Sequence, residues 1–459
     1  MCQGERVPAS LTFFDLQAAF YQVLRQALVP PLDTDEELLK ILHALGLPSA
    51  AVSELKDKLY ATAQLPLLGA TSHAVAVVQD LFRGTWFRLS GFSALTLTKR
   101  GSRPGDPTAD LLFGFTMSAL AKSVHTCLES RGLLPSVPSA SHRPCFVAES
   151  SFALGLPSWA DDFVSPQTGA SWVDLIARTS QALTVVVDLA TSAGMTIKCG
   201  RDKTAVLFPP AALRSPDTSF CEGPDGQRSL ALRNSITQEV FEVPVVEAYR
   251  HLGGIVTSTG TPTPDLHFRF AQAFGTLRPL RRRLFGAREF PLHTRAYLLR
   301  SLVVSKFAHS AAALLLPSAC QIRVWEQHYM SLWRALFHRR SASAQLHSFR
   351  VLHEAHALPP HLALAQARAG FLKRVHLHGP SELLLLLWDH WAVHPASSWY
   401  KQVLSDVGHV SQYVPSVRNL LSTGDTVAAL LESFAEDPFW WPRQIKAASR
   451  AFFEDVAKW

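Results

Sequence analysis

Phe152-Ala153-Leu154-Gly155-Leu156-Pro157-Ser158-Trp159-Ala160-Asp161-Asp162-Phe163-Val164 is a short extended stretch that carries two adjacent acids between Trp159 on one side and Phe163 and Val164 on the other. Taken alone, an Asp-Asp pair in a turn is more often a solvated loop or a helix cap than a ligand set. Asp15 changes that weighing, because Phe13-Phe14-Asp15-Leu16 sets a further acid at the end of a second apolar strand. Two strand-borne carboxylate sites brought together in one sheet would hold hard divalent cations, which prefer oxygen ligands. Two such ions about 3.5–4 Å apart activate an attacking hydroxyl and stabilise the leaving oxygen of a phosphoryl transfer.

Outward from these strands the chain alternates strand and helix. The run Leu11–Leu16 predicts a strand, and Ala18–Val29 continues with helical spacing until Pro30-Pro31 stops it. Further helices are expected over Glu36–Leu45, Ala50–Gln64, Ala74–Phe82 and Thr108–Arg131, with a strand or hairpin over Thr85–Leu97 and a Gly-rich break from Gly101 to Asp106. Pro135–Pro144 and Pro209–Gln227 have the composition of loops. An amphipathic helix from Ser171 to Ser192, an apolar strand from Met195 to Phe208 and two short strands within Val240–Val256 complete the first part. From Leu266 onward the chain predicts helices rich in His, Arg and Trp, and no internal repeat is visible.

With 459 residues, 47% of them hydrophobic, the chain can bury a full core and form two or three domains. The 44 Lys and Arg against 37 Asp and Glu give a net charge of +7, which favours an anionic partner. Arginines gather between Phe268 and Arg350, opposed there by Glu289 and Glu326. The cysteines show no CxxC pair, so neither a zinc site nor a disulfide framework is indicated and a reducing compartment is expected. The N-terminus is not built as a secretory signal, and the apolar tracts Ala311–Leu316 and Leu383–Trp388 are too short to span a bilayer. The expectation is a nuclear or cytoplasmic protein that is neither secreted nor membrane-spanning.

Five segments in order resemble the palm motifs of reverse transcriptases of the non-LTR retrotransposon (long interspersed element) type. Phe13-Phe14-Asp15-Leu16-Gln17-Ala18-Ala19-Phe20 is similar to the first, whose aspartate binds metal and whose aromatic excludes the ribose 2′-hydroxyl. Gly101-Ser102-Arg103-Pro104-Gly105-Asp106-Pro107 resembles the second, and Trp159-Ala160-Asp161-Asp162 the third. Gly194–Lys198 with Asp202-Lys203-Thr204 is similar to the fourth, and Tyr249-Arg250-His251-Leu252-Gly253-Gly254 to the primer-grip hairpin of the fifth. The resemblance implies an α+β polymerase palm, an antiparallel sheet with helices, over residues 1–260, a basic helical thumb over 261–345 and a helical C-terminal region over 346–459.

It also implies roles. Asp15, Asp161 and Asp162 would bind two Mg²⁺ ions, with Mn²⁺ as a substitute, and Lys203, with Lys198 second, would protonate the pyrophosphate leaving group. Phe20, Arg103, Gly105 and Asp106 would shape the nucleotide site. Tyr249, Leu252, Gly253 and the thumb arginines Arg278, Arg281, Arg282 and Arg283 would contact nucleic acid. The implied partners are an RNA template, a DNA primer and deoxynucleoside triphosphates, without a membrane, and the oligomeric state stays open.

The chain departs from the pattern in several places. Pro104 stands where the second motif carries Gln, Tyr21 where an acid often follows the first aromatic, and Trp159 where Tyr or Phe is usual. Few residues precede Asp15, so the fingers are expected to be largely missing. A palm without them loses positioning, which supplies much of phosphoryl-transfer catalysis. Two readings follow: an RNA-directed DNA polymerase domain, or an inactive retroelement relic that only binds nucleic acid. Trp325, Tyr329 and Trp333 recur at helical spacing and are expected to pack helices. The histidines His338, His353, His356, His361, His376 and His378 match no known ligand spacing, and the Trp-rich last hundred residues carry no assignable role.

Overall fold

A computed structural model of the chain describes residues 7–17, 19–22, 25–29, 63–98, 100–102, 107–138, 151–215, 220–223, 226–287, 289–337, 346–422 and 426–456. The helix expected over Glu36–Leu45, that over Ala50–Gln64 except for its last two residues, and the second-motif residues Arg103 to Asp106 lie outside them. The chain is mixed α+β and divides into two compact units, Val7–Pro135 with Leu154–Tyr249, and Met1–Arg6 with Ser136–Ala153 and Arg250–Trp459.

The first unit is built on a seven-stranded sheet. Its order is Ser158–Trp159, Asp162–Thr168, Ala9–Phe14, Ala205–Leu207, Val240–Val246, Arg228–Arg233 and Cys221–Glu222. In Ala9–Phe14 the residues Ser10, Thr12 and Phe14 are buried on one face, while on the other Phe13 is buried and Ala9 and Leu11 are partly exposed. The sheet is mixed rather than purely antiparallel, because Val240–Val246 pairs parallel with Ala205–Leu207. The chain leaves Ala205–Leu207, meanders through Cys221–Glu222 and Arg228–Arg233, and returns beside it in the same direction.

Two long helices, Pro107–Ser130 and Trp172–Ser192, pack on the face that carries Phe14 and Phe163. Ser171 caps the second helix by accepting the Asp174 N–H at 3.1 Å, and a buried hydroxyl pair, Ser10 with Thr179 at 2.8 Å, ties it to the first strand. Among the described residues one helix, Thr108–Ser130, is long and apolar enough to cross a membrane. Its Leu112, Phe113, Leu120, Val124 and Leu128 are buried in this core.

Several local expectations change. The strand expected over Met195–Phe208 is reduced to Ala205–Leu207 with isolated bridges at Ile197 and Cys199, since the turn at Gly200–Lys203 interrupts it. Within Pro135–Pro144, Ser136–Pro138 pairs with Ser151–Ala153, and within Pro209–Gln227 lie the helix Pro210–Arg214 and the strand Cys221–Glu222. Three strands occupy Val240–Val256 in place of two, the last pair being the hairpin Ala248–His251 and Gly254–Thr257.

The second unit is helical from Thr263 to Val456, with two buried clusters that share the helix Pro360–His378. Trp325, Tyr329 and Trp333 are core residues of the first, and Trp399 and Trp441 of the second. Two of the indoles that the sequence left without a role, Trp399 and Trp441, are therefore packing residues whose N–H groups find carbonyls: Trp399 donates to Ala312 at 2.7 Å and Trp441 to Ala365 at 3.2 Å. A buried ion pair, Arg368 with Asp406 at 3.1 Å, crosses the same core.

Candidate functional site

The acids come together through strand register. Ala9–Phe14 runs antiparallel to Asp162–Thr168, with Phe13 opposite Val164 and Phe14 opposite Phe163. The ladder ends at that pair: Asp15 is the residue just past the end of the first strand and Asp162 is the first residue of the second, so continuing the register would bring them opposite one another. Residues facing each other across an antiparallel pair lie on the same side of the sheet, so Asp15 and Asp162 share a face with Phe13 and turn away from the helices that cover Phe14 and Phe163.

Asp162 begins its strand at the tip of a hairpin in which Trp159 pairs with Asp162. Ala160 and Asp161 form the two-residue turn, and Ala160 takes φ of 55°. A left-handed conformation at a non-Gly residue costs roughly 1–2 kcal/mol, and strain of this kind concentrates at functional turns. Trp159 is 70% exposed and packs into no core.

Tyr249 closes the same face. Its ring stacks on Phe13 with centroids 4.1 Å apart. Burial pushes its phenol well above the ordinary tyrosine value, and the negative charges of Asp15, Asp162 and Asp202 push it further. Tyr249 therefore stays protonated amid three carboxylates. Asp202 was named by the sequence only as a neighbour of Lys203; the turn Gly200–Thr204 carries both into the site, held by Lys203 N–H to Gly200 O at 3.0 Å and Thr204 N–H to Lys198 O at 2.9 Å.

Lys203 Nζ donates to Asp15 Oδ1 at 3.2 Å. The backbone around Asp15 is fixed independently: its N–H donates to Thr204 Oγ1 at 3.0 Å and its carbonyl accepts from Lys198 N–H at 3.1 Å. Lys198 thus contributes backbone to the site, and Lys203 contributes the cation.

Phe20 stacks on Phe113 of the helix Pro107–Ser130, with centroids 4.1 Å apart. Its carbonyl accepts the Ser102 N–H at 2.8 Å, which joins the first and second motif segments. Gly101 must be glycine: its φ is 83°, and an added Cβ would lie 2.8 Å from Tyr21 Cα. Sequence reasoning missed Arg25, whose guanidinium donates to Gly101 O at 3.0 Å, Phe82 O at 3.0 Å and Thr98 O at 2.9 Å, and so fastens the segment carrying Gly101. Its only signal was an isolated cation in an apolar helix.

Leu252 and Gly253 turn the hairpin between Ala248–His251 and Gly254–Thr257, with φ of 47° and 78°. At Gly254 a Cβ would lie 2.7 Å from Arg269 Nη2. That arginine is not part of a free basic field. It is buried and paired with Asp265 at 2.7 Å, an acid just outside the segment whose charges the sequence weighed. Arg295 is likewise spent on the Phe285 and Leu336 carbonyls. Arg278, Arg282 and Arg283 are exposed and Arg281 is half-buried. The positive surface of this segment is smaller than its arginine count suggests.

The chemistry of the acidic face can be tested against the ions that the sequence pattern implies. Among the described residues, no three His, Cys, Asp or Glu side chains lie close enough to share a metal ion. Lys203 also occupies one oxygen of Asp15. As placed, the carboxylates do not fit a resident divalent ion. What the arrangement does is seat an ammonium on Asp15 and keep a protonated phenol within the field of Asp15, Asp162 and Asp202, beside a strained hairpin. No protein-family model and no curated protein matches the chain.

Proposed function

We propose that this chain is the palm-bearing portion of a reverse transcriptase of the non-LTR retrotransposon type, an RNA-directed DNA polymerase. The observation that carries the reading is that Asp15 and Asp162, at the adjoining ends of two neighbouring antiparallel strands, both act on Tyr249, which stacks on Phe13. The two acids were singled out by separate motifs far apart in sequence, and the fold need not have brought them to one tyrosine. The stack of Phe20 beside the Gly101 segment and the place of Tyr249 over Phe13 support the same reading.

In this reading Lys203, the ammonium nearest Asp15, is the proton donor to the leaving group, Phe20 limits the sugar, and Tyr249 buttresses the acidic face. RNA template, DNA primer and deoxynucleoside triphosphates are its partners, with nuclear or cytoplasmic residence. Mg²⁺ is the ion that this reading implies.

A second reading, a palm that binds nucleic acid without catalysis, is favoured by one observation, the Lys203 ammonium seated on Asp15. Primer extension on an RNA template with Mg²⁺, comparing the chain with its Asp161→Ala, Asp162→Ala double variant, separates the two. Extension that the double variant abolishes establishes the polymerase. Salt-sensitive binding of template and primer by both proteins, without extension by either, leaves the binding module and sinks the enzyme.

A further inference from the structure

Within the second unit an open cleft of about 720 Å³ lies along the helix Trp440–Val456, with His353, His356 and Arg300 among the residues that line it. Its volume falls in the range of sites that take a drug-sized ligand, roughly 300–1,000 Å³. Arg300, Lys446 and Arg450 line it, with His353 and His356, and Glu454 is the one acid in the lining. Lys446 and Arg450 stand at i and i+4 on the helix Trp440–Val456, where both project from one face. Among the described residues neither has an ion-pair partner. Cations left unneutralised in a concave wall raise the local potential for an anion more than the same charges on a convex surface.

One edge of the cavity is aromatic. The Phe453 ring meets His353 edge-on at 5.3 Å, and Phe349 stacks on His353 at 5.8 Å. His356 takes φ of 49°, and its carbonyl accepts from Arg300 Nη2 at 3.1 Å, which fixes the guanidinium at the rim. Cations that track a phosphate backbone next to rings that stack on bases are the two components of a single-strand site.

We propose that this cavity binds a single-stranded nucleic-acid segment, Lys446, Arg450 and Arg300 taking its phosphates and the Phe453–His353 edge taking a base. The site is built from the second unit alone and does not depend on polymerase activity at the acidic sheet face. Its ligand class is a strand rather than a free nucleotide, because three cations line the cavity beside the Phe453–His353 pair, enough to take the phosphates of adjacent units of one polymer.

The test uses the full chain and a fluorescent oligo(U) of about a dozen nucleotides, read by anisotropy over a salt series. Charge reversal at Lys446→Glu with Arg450→Glu is expected to weaken binding at least about tenfold and to lower the salt slope, each lost phosphate contact removing roughly 0.7 from it. Arg374→Glu with Arg418→Glu, exposed cations outside the cavity, changes the net charge equally and is expected to weaken binding less than threefold. Phe453→Leu keeps an apolar side chain and removes the stacking face. It is expected to weaken binding about fivefold or more, as loss of one base stack does.

Photocrosslinking of a 4-thiouridine oligonucleotide is expected to mark peptides containing His353 or Phe453. Equal losses in the two charge-reversal pairs, crosslinks confined to 278–283, or displacement of the oligonucleotide by uridine monophosphate at matching affinity would each overturn the proposal.

Discussion

Lys203 Nζ lies 3.2 Å from Asp15 Oδ1 although 188 residues separate them, and the contact joins a turn to the end of a central strand. Both side chains are partly open to solvent, 36% for the lysine and 23% for the aspartate. Pairs in that situation contribute no more than about 1 kcal/mol. Lys203→Met is therefore expected to leave the urea midpoint nearly unchanged. If the polymerase reading holds, it is also expected to lower primer extension by about 100-fold or more, the range for loss of a general acid. A large stability loss with intact extension would make Lys203 a structural residue.

Gly101 gives a prediction on stability alone. Gly101→Ala adds a Cβ to a residue at φ 83°, in contact with the Tyr21 backbone at 2.8 Å. The left-handed conformation alone costs roughly 1–2 kcal/mol, and the clash with backbone cannot be relieved by a rotamer. Equilibrium unfolding in urea should show a loss of about 2–4 kcal/mol. A loss under 1 kcal/mol would mean that the Gly101 segment does not sit against Tyr21.

Arg269 and Asp265 form a buried pair, with the Asp265 carboxylate also accepting the Ile255 N–H at 2.8 Å and the arginine also donating to the His309 carbonyl. Removing one member leaves the other charged and buried, at a cost of about 3–5 kcal/mol. Arg269→Met should therefore lower stability strongly. Adding Asp265→Asn should restore part of it, since the orphaned carboxylate is then neutral. Additive losses in the double variant would exclude the coupling.

His361 governs an acid-sensitive step. Burial, helped by His409, lowers its pKa from 6.5 to about 4. The unfolded chain then binds more protons than the folded one between those values, so the contribution of neutral His361 is complete above pH 6.5 and declines as the pH falls toward 4. At pH 5 the loss is about 2 kcal/mol at 1.36 kcal/mol for each pH unit. His361→Gln should flatten the stability difference between pH 7 and pH 5. A wild-type protein equally stable at both pH values would show that the imidazole is solvated.

Much of the first unit was legible because its signals are local. The strand at Leu11–Leu16 and the helices at Thr108–Arg131 and Ser171–Ser192 appear within a residue or two of their expected places, since periodicity and capping act over neighbouring residues. The strand expected over Met195–Phe208 failed because a turn of polar residues at Gly200–Lys203 outweighs apolar composition on either side. The arginine-rich segment was misweighed for another reason: charge counting cannot tell a buried, paired Arg269 from an exposed Arg282.

The sequence by itself determined which residues carry acid, cation and aromatic chemistry, and it separated a strand-bearing first part from a helical remainder. Only the tertiary structure decided that Asp15, Asp162 and Asp202 all act on Tyr249, and that Lys203 rests on Asp15. Composition and periodicity describe a residue's own neighbourhood. Register, and the closure of a sheet across long stretches of chain, depend on the packing of both its faces at once, which no single segment encodes.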